Sequence, residues 1–392
     1  MPLKRIYRTH LNDKKMEGDF IKINKWLYPL SFLYGMGVNL RNQLFDWEML
    51  PSRSYNVPVI SIGNITVGGT GKTPHTEYLI KLLQKDFQVA VLSRGYKRKS
   101  KGFVLAAPDT PMSKIGDEPY QMKQKYPHVH VAVDADRRNG IEQLCAPNIT
   151  PEVEVVLLDD AYQHRYVKPG INILLVDYHR MIGEDALLPA GRLREPERGK
   201  NRANIVIITK CPRDIKPMDY RIISKQIDLF PYQKLYFSTL TYGKLTPLGH
   251  PSDDSDTRTL NSLGKDEKVL LLTGIASPQQ LLHDLEQYTP HIETVTFPDH
   301  HAFTAKDLAT IKQRFEQMGE GKKLIITTEK DATRLINHPQ LDETLKASIY
   351  ILPVEIEFLQ GQQESFNEKI IGYVRANSRN SILHQDKDAN RS

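Results

Sequence analysis

A glycine-rich hexapeptide near residue 70 carries the strongest chemical signal in the sequence. The string GGTGKT occupies residues 68–73, the apolar run Val59–Ile62 precedes it, and Pro74 follows where a helix can begin. Glycines let successive backbone N–H groups turn towards phosphate oxygens, and a helix N-terminus adds partial positive charge. We therefore predict a phosphate-binding loop (P-loop) in which Lys72 holds the β- and γ-phosphates of ATP and the Thr73 hydroxyl binds Mg²⁺. The predicted ATP-binding residues are Thr66, Val67, Gly68, Gly69, Thr70, Gly71, Lys72 and Thr73.

The P-loop departs from the common pattern G-x-x-x-x-G-K-[ST]. Thr66 stands at its first position, and the double glycine resembles the P-loops of ParA-like ATPases. Those ATPases carry a signature lysine just before the double glycine, where this chain has Val67. A ParA-like ATPase that acts in membrane-associated assembly therefore stays an alternative, and the missing lysine argues against it.

Two adjacent acids, Asp159 and Asp160, follow the apolar run Val153–Leu158. A nucleotide-binding sheet places its metal-side carboxylate at the end of such a strand, and adjacent carboxylates are costly unless a cation lies nearby. Taken alone, the pair is better explained as a strand-to-loop cap. Because it lies downstream of a P-loop, we interpret both acids as Mg²⁺ ligands opposite Thr73.

Several other loops carry charged groups or histidines. Gly116–Pro119 holds Asp117 and Glu118, and its residues alone favour an ordinary turn, although Glu118 is a further candidate for the Mg²⁺ site. Phe297–His301 holds two histidines, which can bind metal, donate a proton or cap a helix. The charges of Thr327–Asp331 can simply solvate a helix start.

Arginines near residues 94 and 190 can hold phosphate or carboxylate groups. Leu188–Pro196 offers two of them, and a basic cluster runs from residue 94 to residue 101. Our candidate substrate-binding residues are Arg94, Gln163, His164, Arg192 and Arg194.

These residues need a sheet to position them, and the sequence predicts one. Short β-branched runs alternate with helical stretches, including a helix from Pro74 to about Gln84, which indicates a mostly parallel α/β sheet of the P-loop NTPase type with helices on both faces. The predicted strands of this sheet are Val57–Ile62, Val89–Leu92, Val129–Val133, Val153–Leu158, Ile171–Val176 and Ile205–Thr209.

A second, smaller α/β domain is predicted after a hairpin-like linker. Lys234–Leu240 can form a strand, and residues 241–257 are rich in Gly, Pro, Ser and Asp. The predicted strands beyond it are Val269–Thr273, Thr294–Phe297, Leu324–Thr327 and Ile349–Phe358.

Residues 26–38 form an uncharged, aromatic-rich run between Lys22, Lys25 and Arg41. It is too short to span a bilayer. Two interpretations are equally open: a helix that lies in a membrane interface, or a helix buried against the core.

Composition narrows the class of protein. With 392 residues, 40% hydrophobic and 26% charged, the chain suits a two-domain globular protein. Its two cysteines match no metal-ligand spacing or disulfide framework, which favours a reducing compartment. The net charge of +6 permits nucleic acid, anionic lipid or phosphorylated ligands, but no nucleic-acid motif is present.

The motifs, taken in order, resemble one family. ISIGNITVGGTGKTP, LSRGY, GDEP, DDAYQHR, LPAGRLREP, FPDHHAFT and TTEKDATR follow one another as in tetraacyldisaccharide 4'-kinases, the lipid A kinases of the Gram-negative envelope. The resemblance runs from about Trp26 to Phe358. Ala161 stands where the family usually has Gly, and Arg192 where Pro is common, but neither change removes a functional group.

The resemblance implies an activity and a location. The reaction is transfer of the ATP γ-phosphoryl group, with Mg²⁺, to the 4'-hydroxyl of a tetraacylated glucosamine disaccharide 1-phosphate, which gives lipid IV-A. The enzyme would act peripherally at the cytoplasmic face of the inner membrane, touching anionic lipid through its N-terminal helix. It would need no nucleic acid, and no obligate protein partner is evident.

The resemblance also implies roles for individual residues. Asp117 matches the catalytic base of the family, His300 its partner histidine, and Asp159 and Asp160 its double acid. With Lys72, Asp117 and His300 form the predicted catalytic set.

We predict five segments along the chain. Residues 1–45 are an N-terminal arm and membrane-interface helix, 46–234 the P-loop kinase domain, 235–262 the linker, 263–375 the smaller α/β domain, and 376–392 a disordered tail. A membrane-surface protein without catalysis is a further alternative, which the intact Lys72 and acids argue against.

Overall fold

The protein forms two mostly parallel sheets with helices packed around them. The structure is a computed structural model, and it describes residues 23–149, 151–249, 257–275, 278–299, 301–336 and 338–389, with side chains to residue 378. The predicted N-terminal arm before residue 23 lies outside the described residues. Within the described ranges, the strands are β1 Val59–Gly63, β2 Val89–Ser93, β3 Val104–Leu105, β4 His130–Val133, β5 Val155–Asp159, β6 Ile171–Asp177, β7 Ile205–Thr209, β8 Lys234–Tyr242, β9 Thr246–Pro247, β10 Lys268–Thr273, β11 Ile292–Thr296, β12 Lys323–Thr328, β13 Ile349–Leu352 and β14 Val354–Phe358.

Helices connect most of the strands. Four of the described α-helices begin at a side-chain cap, as when Asp136 accepts from the backbone N–H of Arg138. The α-helices are α1 Tyr28–Asp46, α2 Lys72–Leu83, α3 Met112–Ile115, α4 Asp117–Lys125, α5 Arg137–Leu144, α6 Pro217–Ile227, α7 Gln279–Leu285, α8 Ala305–Gln317, α9 Glu329–Leu335, α10 Glu343–Ala347 and α11 Gln363–Ala389. Short 3₁₀ turns cover Lys25–Leu27, Ile182–Glu184, Glu197–Arg202 and Leu260–Ser262.

The first sheet has nine strands in the order β14-β8-β7-β6-β1-β5-β2-β4-β3. Its seven central strands pair in parallel, and only β14 and β3 pair antiparallel to their neighbours. All residues of β1 are buried, because α2 covers one face with Leu79 and Leu83 and α5 covers the other with Ile141 and Leu144. The predicted fold class, a P-loop-type parallel sheet covered on both faces, is confirmed.

The position of β1 determines where a ligand can bind. β5 and β6 flank it, so the chain runs out to one side of β1 and then continues on the other. Such a switch in direction opens a crevice at the carboxyl ends of parallel strands. The P-loop and Asp159 both lie at this edge of the sheet.

The second sheet has five strands in the order β11-β10-β12-β13-β9. Its core is separate from that of the first sheet and includes Leu270, Leu272, Ile325 and Ile349. This is the second α/β unit that the sequence indicated.

The chain then returns to the first sheet, and the sequence did not predict this return. Ile349–Phe358 is not one strand. β13 belongs to the second sheet, whereas β14 pairs with β8 of the first. Pro353 separates the two strands, because proline has no backbone N–H for a ladder hydrogen bond.

The structure therefore differs from the predicted segments at two boundaries. β8 belongs to the first sheet, although residues 235–262 were predicted as linker. Residues from Val354 onward also belong with the first sheet, although the smaller domain was predicted to reach residue 375.

Residues 376–389 were predicted to be disordered, but in the structure they form the end of the C-terminal helix α11. Phe366, Ile370 and Val374 recur every four residues and are fully or almost fully buried in the first core. Once a helix is anchored in this way, adding further helical residues beyond its buried part costs little free energy.

Candidate active site

One large cleft lies between the two sheets. Its volume is about 1620 Å³, and it is bounded by the P-loop, the carboxyl edge of the first sheet, α1, and α7 and α9 of the second unit. The predicted ATP-binding residues from Val67 to Thr73 line it, together with Arg94, Glu118, Asp159, Asp160, Gln163, His164 and Arg194. Most of the sequence-predicted site residues therefore share a single cavity.

Two glycines with positive φ and two side-chain hydrogen bonds determine the shape of the P-loop. Gly68 and Gly71 have φ values of 123° and 82°, which L side chains rarely adopt. The Asn64 amide donates to the Thr70 hydroxyl over 2.8 Å, and the Thr209 hydroxyl donates to the Thr70 carbonyl over 3.0 Å. Asn64 and Thr209, which fix the loop through these bonds, are not among the described residues that line the cleft.

The loop that contains Arg192 and Arg194 pairs with the start of the P-loop. Val67 N–H donates to Arg192 O, and Arg194 N–H donates to Ile65 O, each over 2.7 Å. Thr66 is buried by this pairing. Arg194 lines the cleft, whereas the exposed Arg192 is not among the described residues that line it.

The two adjacent acids have different surroundings. Asp159 is only 1% exposed, and its carboxylate accepts from Thr76 Oγ1 over 3.2 Å and from Ser93 Oγ over 3.3 Å. Burial, then the charges of Glu118 and Asp160, raise the pKa of Asp159 to about 7 against the opposing effect of Lys72 and Arg137. Such a raised pKa marks a site that would favour an added cation.

Asp160 is held by cations. Its carboxylate lies 3.7 Å from Lys72 Nζ and accepts from Arg194 Nη1 over 3.2 Å. Its φ of 45° places it in the left-handed region at the end of β5. Lys72 is thereby directed towards the acidic side of the cleft.

Thr73 and Thr76 lie one turn apart on α2, so they share a face of that helix. Since Thr76 donates to Asp159, the predicted Thr73 and Asp159 lie on the same side of the first sheet.

Asp117 and Glu118 begin α4, directly after Gly116. A Cβ at Gly116, whose φ is 90°, would lie 2.8 Å from Tyr96 O, so the tight approach requires glycine. Glu118 lines the cleft, 3.7 Å from Lys330 of α9. Asp117 is not among the described lining residues, and its carboxylate accepts from Arg334 Nε over 3.0 Å and also from Arg334 Nη2.

His300, the predicted partner of Asp117, lies outside the described residues. The pair therefore stays a prediction.

An ion-pair chain that the sequence prediction missed connects the P-loop helix to the second unit. Lys125 of α4 lies 2.5 Å from Glu77 of α2 and 2.6 Å from Glu329 of α9, and Gln121 donates to Glu77 over 2.9 Å. Charges of Thr327–Asp331 thus bind α4, through Glu329 to Lys125 and Lys330 to Glu118. The spacing of charges along one helix contains no signal for a partner two hundred residues away.

Gln163 and His164 lie where α1 meets the first sheet. Gln163 donates to Asn64 O over 2.7 Å and to Glu195 Oε1 over 3.1 Å. Burial, then the charge of Arg137, lowers the pKa of His164 to about 4. Arg137 was not predicted; it is 2% exposed and donates to Asp134 O and Asp159 O beside the acids.

Helix α1 turns its apolar side chains outward. Its buried residues are Ser31, Gly35, Asn42 and Phe45, and Ser31 donates to Leu187 O over 3.0 Å. The alternative of a helix buried against the core is wrong for residues 26–38, because only Ser31 and Gly35 of this run are buried. The exposed apolar residues of the segment are Trp26, Tyr28, Leu30, Phe32, Leu33, Tyr34, Met36 and Leu40. Across the ranges that the structure describes, no helix is long and apolar enough to cross a membrane.

Comparisons with known proteins agree on one family. A family model described as Tetraacyldisaccharide-1-P 4'-kinase matches residues 23–375. The chain is 66% identical over 366 residues to the tetraacyldisaccharide 4'-kinase of Phocaeicola vulgatus, a match that covers 93% of this chain and 99% of that relative. It is 60% identical over 377 residues to the same enzyme of Bacteroides fragilis, covering 96% and 100%.

A solved structure is similar in fold. The crystal structure of the "apo" form of LpxK from Aquifex aeolicus in complex with ATP matches with a TM-score of 0.67 and 29% identity. The match covers 89% of this chain and 98% of that one.

Proposed function

The chain belongs to the tetraacyldisaccharide-1-P 4'-kinase family, and we propose that it transfers the γ-phosphoryl group of ATP to the 4'-hydroxyl of a tetraacyldisaccharide 1-phosphate. The product would be lipid IV-A of lipid A biosynthesis. One observation carries the proposal: the P-loop with Lys72 opens into the same cleft as Asp159, Asp160 and Glu118. Positioning and charge neutralisation are what phosphoryl transfer requires of a protein. The family match leaves the ParA-like alternative without support.

The P-loop residues fit a nucleotide triphosphate. Gly68 and Gly71 adopt backbone angles that bring main chain close to a ligand without a Cβ in between, and α2 begins at Lys72, so its N-terminal N–H groups lie beside the cleft. Lys72 would bind the β- and γ-phosphates in place of its present neighbour Asp160.

The acidic residues fit a magnesium ion that arrives with ATP. The described residues contain no group of three or more His, Cys, Asp or Glu that could hold a metal by themselves, and Mg²⁺ commonly binds to one or two carboxylates plus substrate phosphates. Thr73 and Asp159 would hold it, with Asp160 and Glu118 nearby. When bound, it would balance negative charge on the phosphates.

Asp117 is our proposed general base, supported by His300. A sugar hydroxyl is a weak nucleophile, so a carboxylate that accepts its proton lowers the barrier. The ion pair with Arg334 supports the proposal because it would keep the Asp117 carboxylate in one orientation.

The acceptor would lie between the P-loop and α1. Arg94 and Arg194 could bind its negative 1-phosphate group, because both line the cleft. Gln163 and His164 also line the cleft. Arg192 is not among the described lining residues and lies beside the start of the P-loop. The outward apolar residues of α1 adjoin this region through Val38, which also lines the cleft.

The membrane is the proposed source of the acceptor. Trp26 is 92% exposed, Phe32 68% and Leu33 62%, which is unusual for large apolar side chains on one short segment. The exposed lysines 97, 99 and 101 follow Arg94 and Tyr96, two cleft residues. An apolar helix beside basic residues fits peripheral binding to anionic lipid at the cytoplasmic face of the inner membrane.

A direct assay tests the function. Purified protein is incubated with labelled ATP, Mg²⁺ and a tetraacyldisaccharide 1-phosphate, and we expect label to appear in the lipid. Hydrolysis of ATP without acceptor should be slow. Rapid acceptor-independent hydrolysis with no labelled lipid would overturn the proposal.

A further inference from the structure

Two peptide carbonyls of the P-loop are bound by Thr209 and His75, which are not among the described residues that line the cleft. Thr209 Oγ1 donates to Thr70 O over 3.0 Å, and His75 Nδ1 lies 2.7 Å from Gly71 O. In a trans peptide the C=O and the following N–H point in opposite directions. The N–H groups of Gly71 and Lys72 are therefore turned away from these two anchors, and both residues line the cleft.

The His75 ring makes two specific contacts. It is 3% exposed, and its second nitrogen, Nε2, lies 3.0 Å from the Ser238 hydroxyl. A carbonyl can only accept, so Nδ1 carries the proton that is donated to Gly71 O. In the neutral ring Nε2 then accepts from Ser238, which is fully buried in β8.

The Gly71 peptide needs such an anchor. Gly71 has a φ of 82°, and no side chain caps the N-terminus of α2. The backbone N–H of His75 also reaches Gly71 O, but over 3.3 Å, so the 2.7 Å contact of Nδ1 is the shorter of the two that hold the peptide between Gly71 and Lys72. Rotation of this peptide would turn the Lys72 N–H away from a bound phosphate.

We propose that His75 is a positioning residue for the nucleotide, because it links the Gly71 carbonyl to Ser238 and so holds the Lys72 N–H towards the phosphates. The inference rests on the proposed function, since it assumes that the P-loop binds ATP. It adds a residue outside the P-loop string itself and extends the phosphate cradle to β8, which β7 and β6 separate from β1 in the sheet.

The alternative is that His75 merely fills space in the core. Three variants separate the two roles, because asparagine can place an amide N–H near the position of Nδ1 and glutamine near that of Nε2. His75→Asn keeps a donor for Gly71 O, His75→Gln keeps only the contact to Ser238, and His75→Leu keeps neither. A role in packing alone would give no advantage to asparagine.

Nucleotide binding is measured by calorimetry with ATP and Mg²⁺ on the full chain, and the KM values for ATP and for the lipid acceptor are measured in the kinase assay. We expect His75→Leu and His75→Gln to weaken ATP binding about tenfold, as for loss of one hydrogen bond. The KM for ATP should rise to match, whereas the KM for the lipid acceptor should stay unchanged. His75→Asn should bind ATP within about twofold of the unsubstituted protein.

The outcomes separate the inference from the function. No ATP binding by the unsubstituted protein would overturn the proposed function itself. ATP binding that is intact in His75→Leu, or lost equally in His75→Asn and His75→Gln, would overturn the role of His75. If His75→Leu does not fold, the order of the asparagine and glutamine variants decides: tighter binding by asparagine supports the inference, and any other order contradicts it.

Discussion

The guanidinium of Arg334 binds the carboxylate of Asp117 through two nitrogens and so joins α9 of the second unit to α4 of the first. The Arg334 side chain is 4% exposed and lies 3.2 Å from Asp331 as well. A buried arginine that binds two carboxylates fixes all three side chains. The acidic loop that we assign to catalysis is therefore clamped between the two units.

The first prediction concerns this ion pair. Arg334→Met should lower the free energy of unfolding by about 2 kcal/mol, because it removes the cation that Arg334 supplies to Asp117 and Asp331. Arg334→Lys, which keeps the charge but not the two-nitrogen geometry, should lose less. Urea unfolding of Arg334→Met, Asp117→Asn and the double variant measures the coupling, and additive losses would mean that the pair contributes nothing of its own.

The second prediction concerns Lys72. Lys72→Met removes the charge assigned to the β- and γ-phosphates while keeping the aliphatic stem, so turnover should fall at least about a hundredfold. The matched control is Lys81→Met on the same helix, which removes a surface ion pair with Glu355 and should leave turnover unchanged. Near-normal turnover in a folded Lys72→Met protein would contradict the assignment of the P-loop.

The third prediction concerns the membrane. Replacing Phe32 and Leu33 by serine removes exposed apolar area and should weaken binding to anionic liposomes about tenfold or more, with little change in stability. Met218→Ser with Phe230→Ser is the matched control, since both residues are exposed and lie on or after α6 and not on α1. Equal liposome binding by the two double variants would argue against a membrane role for α1.

The sequence predicted the parts of the site that lie within short strings. The P-loop and Asp159-Asp160 are each read from a strand and the turn that follows it, and the structure brings them together because both strands end at one edge of the sheet. Contacts between distant segments could not be predicted in this way. Neither the link from Lys125 to Glu329 nor the anchor at Thr209 has any local signature.

The division of the chain between two sheets was the least predictable part of the fold. Apolar periodicity gives the presence of a strand but not its partner. Ile349–Phe358 was predicted as one strand, and Pro353 marks the place where the chain leaves one sheet for the other. The outward apolar face of α1 likewise became evident only from the contacts of Ser31 and Gly35.

The fourth prediction concerns pH and His164. Burial lowers its folded-state pKa to about 4 from the ordinary 6.5, so between these values the unfolded chain binds more protons than the folded one. The contribution of His164 to the free energy of unfolding is therefore fully present above about pH 6.5 and is lost as the pH falls towards 4. Between pH 7 and pH 5 the loss should be about 2 kcal/mol.

His164→Gln tests this because it removes the titrating group. Its free energy of unfolding should fall less than that of the unsubstituted protein between pH 7 and pH 5. His75, whose pKa burial also lowers to about 4, stays in both proteins and contributes equally. Parallel pH dependence in the two proteins would show that His164 is not buried in its neutral form.

The last prediction concerns the base. Asp117→Ala should lose turnover about a hundred- to ten-thousand-fold, as for removal of a general base, while ATP binding is kept because Asp117 is not among the described residues that line the cleft. His300→Ala should lose somewhat less.

The two losses should not multiply in the double variant, because groups that act as a unit are not additive. Arg334→Lys separates this role from the clamp: it preserves the Asp117 carboxylate and a neighbouring cation, so its turnover should stay well above that of Asp117→Ala. Strictly multiplicative losses for Asp117 and His300, or an Asp117→Ala enzyme with unchanged kcat and only a raised KM, would mean that the carboxylate binds substrate and does not accept its proton.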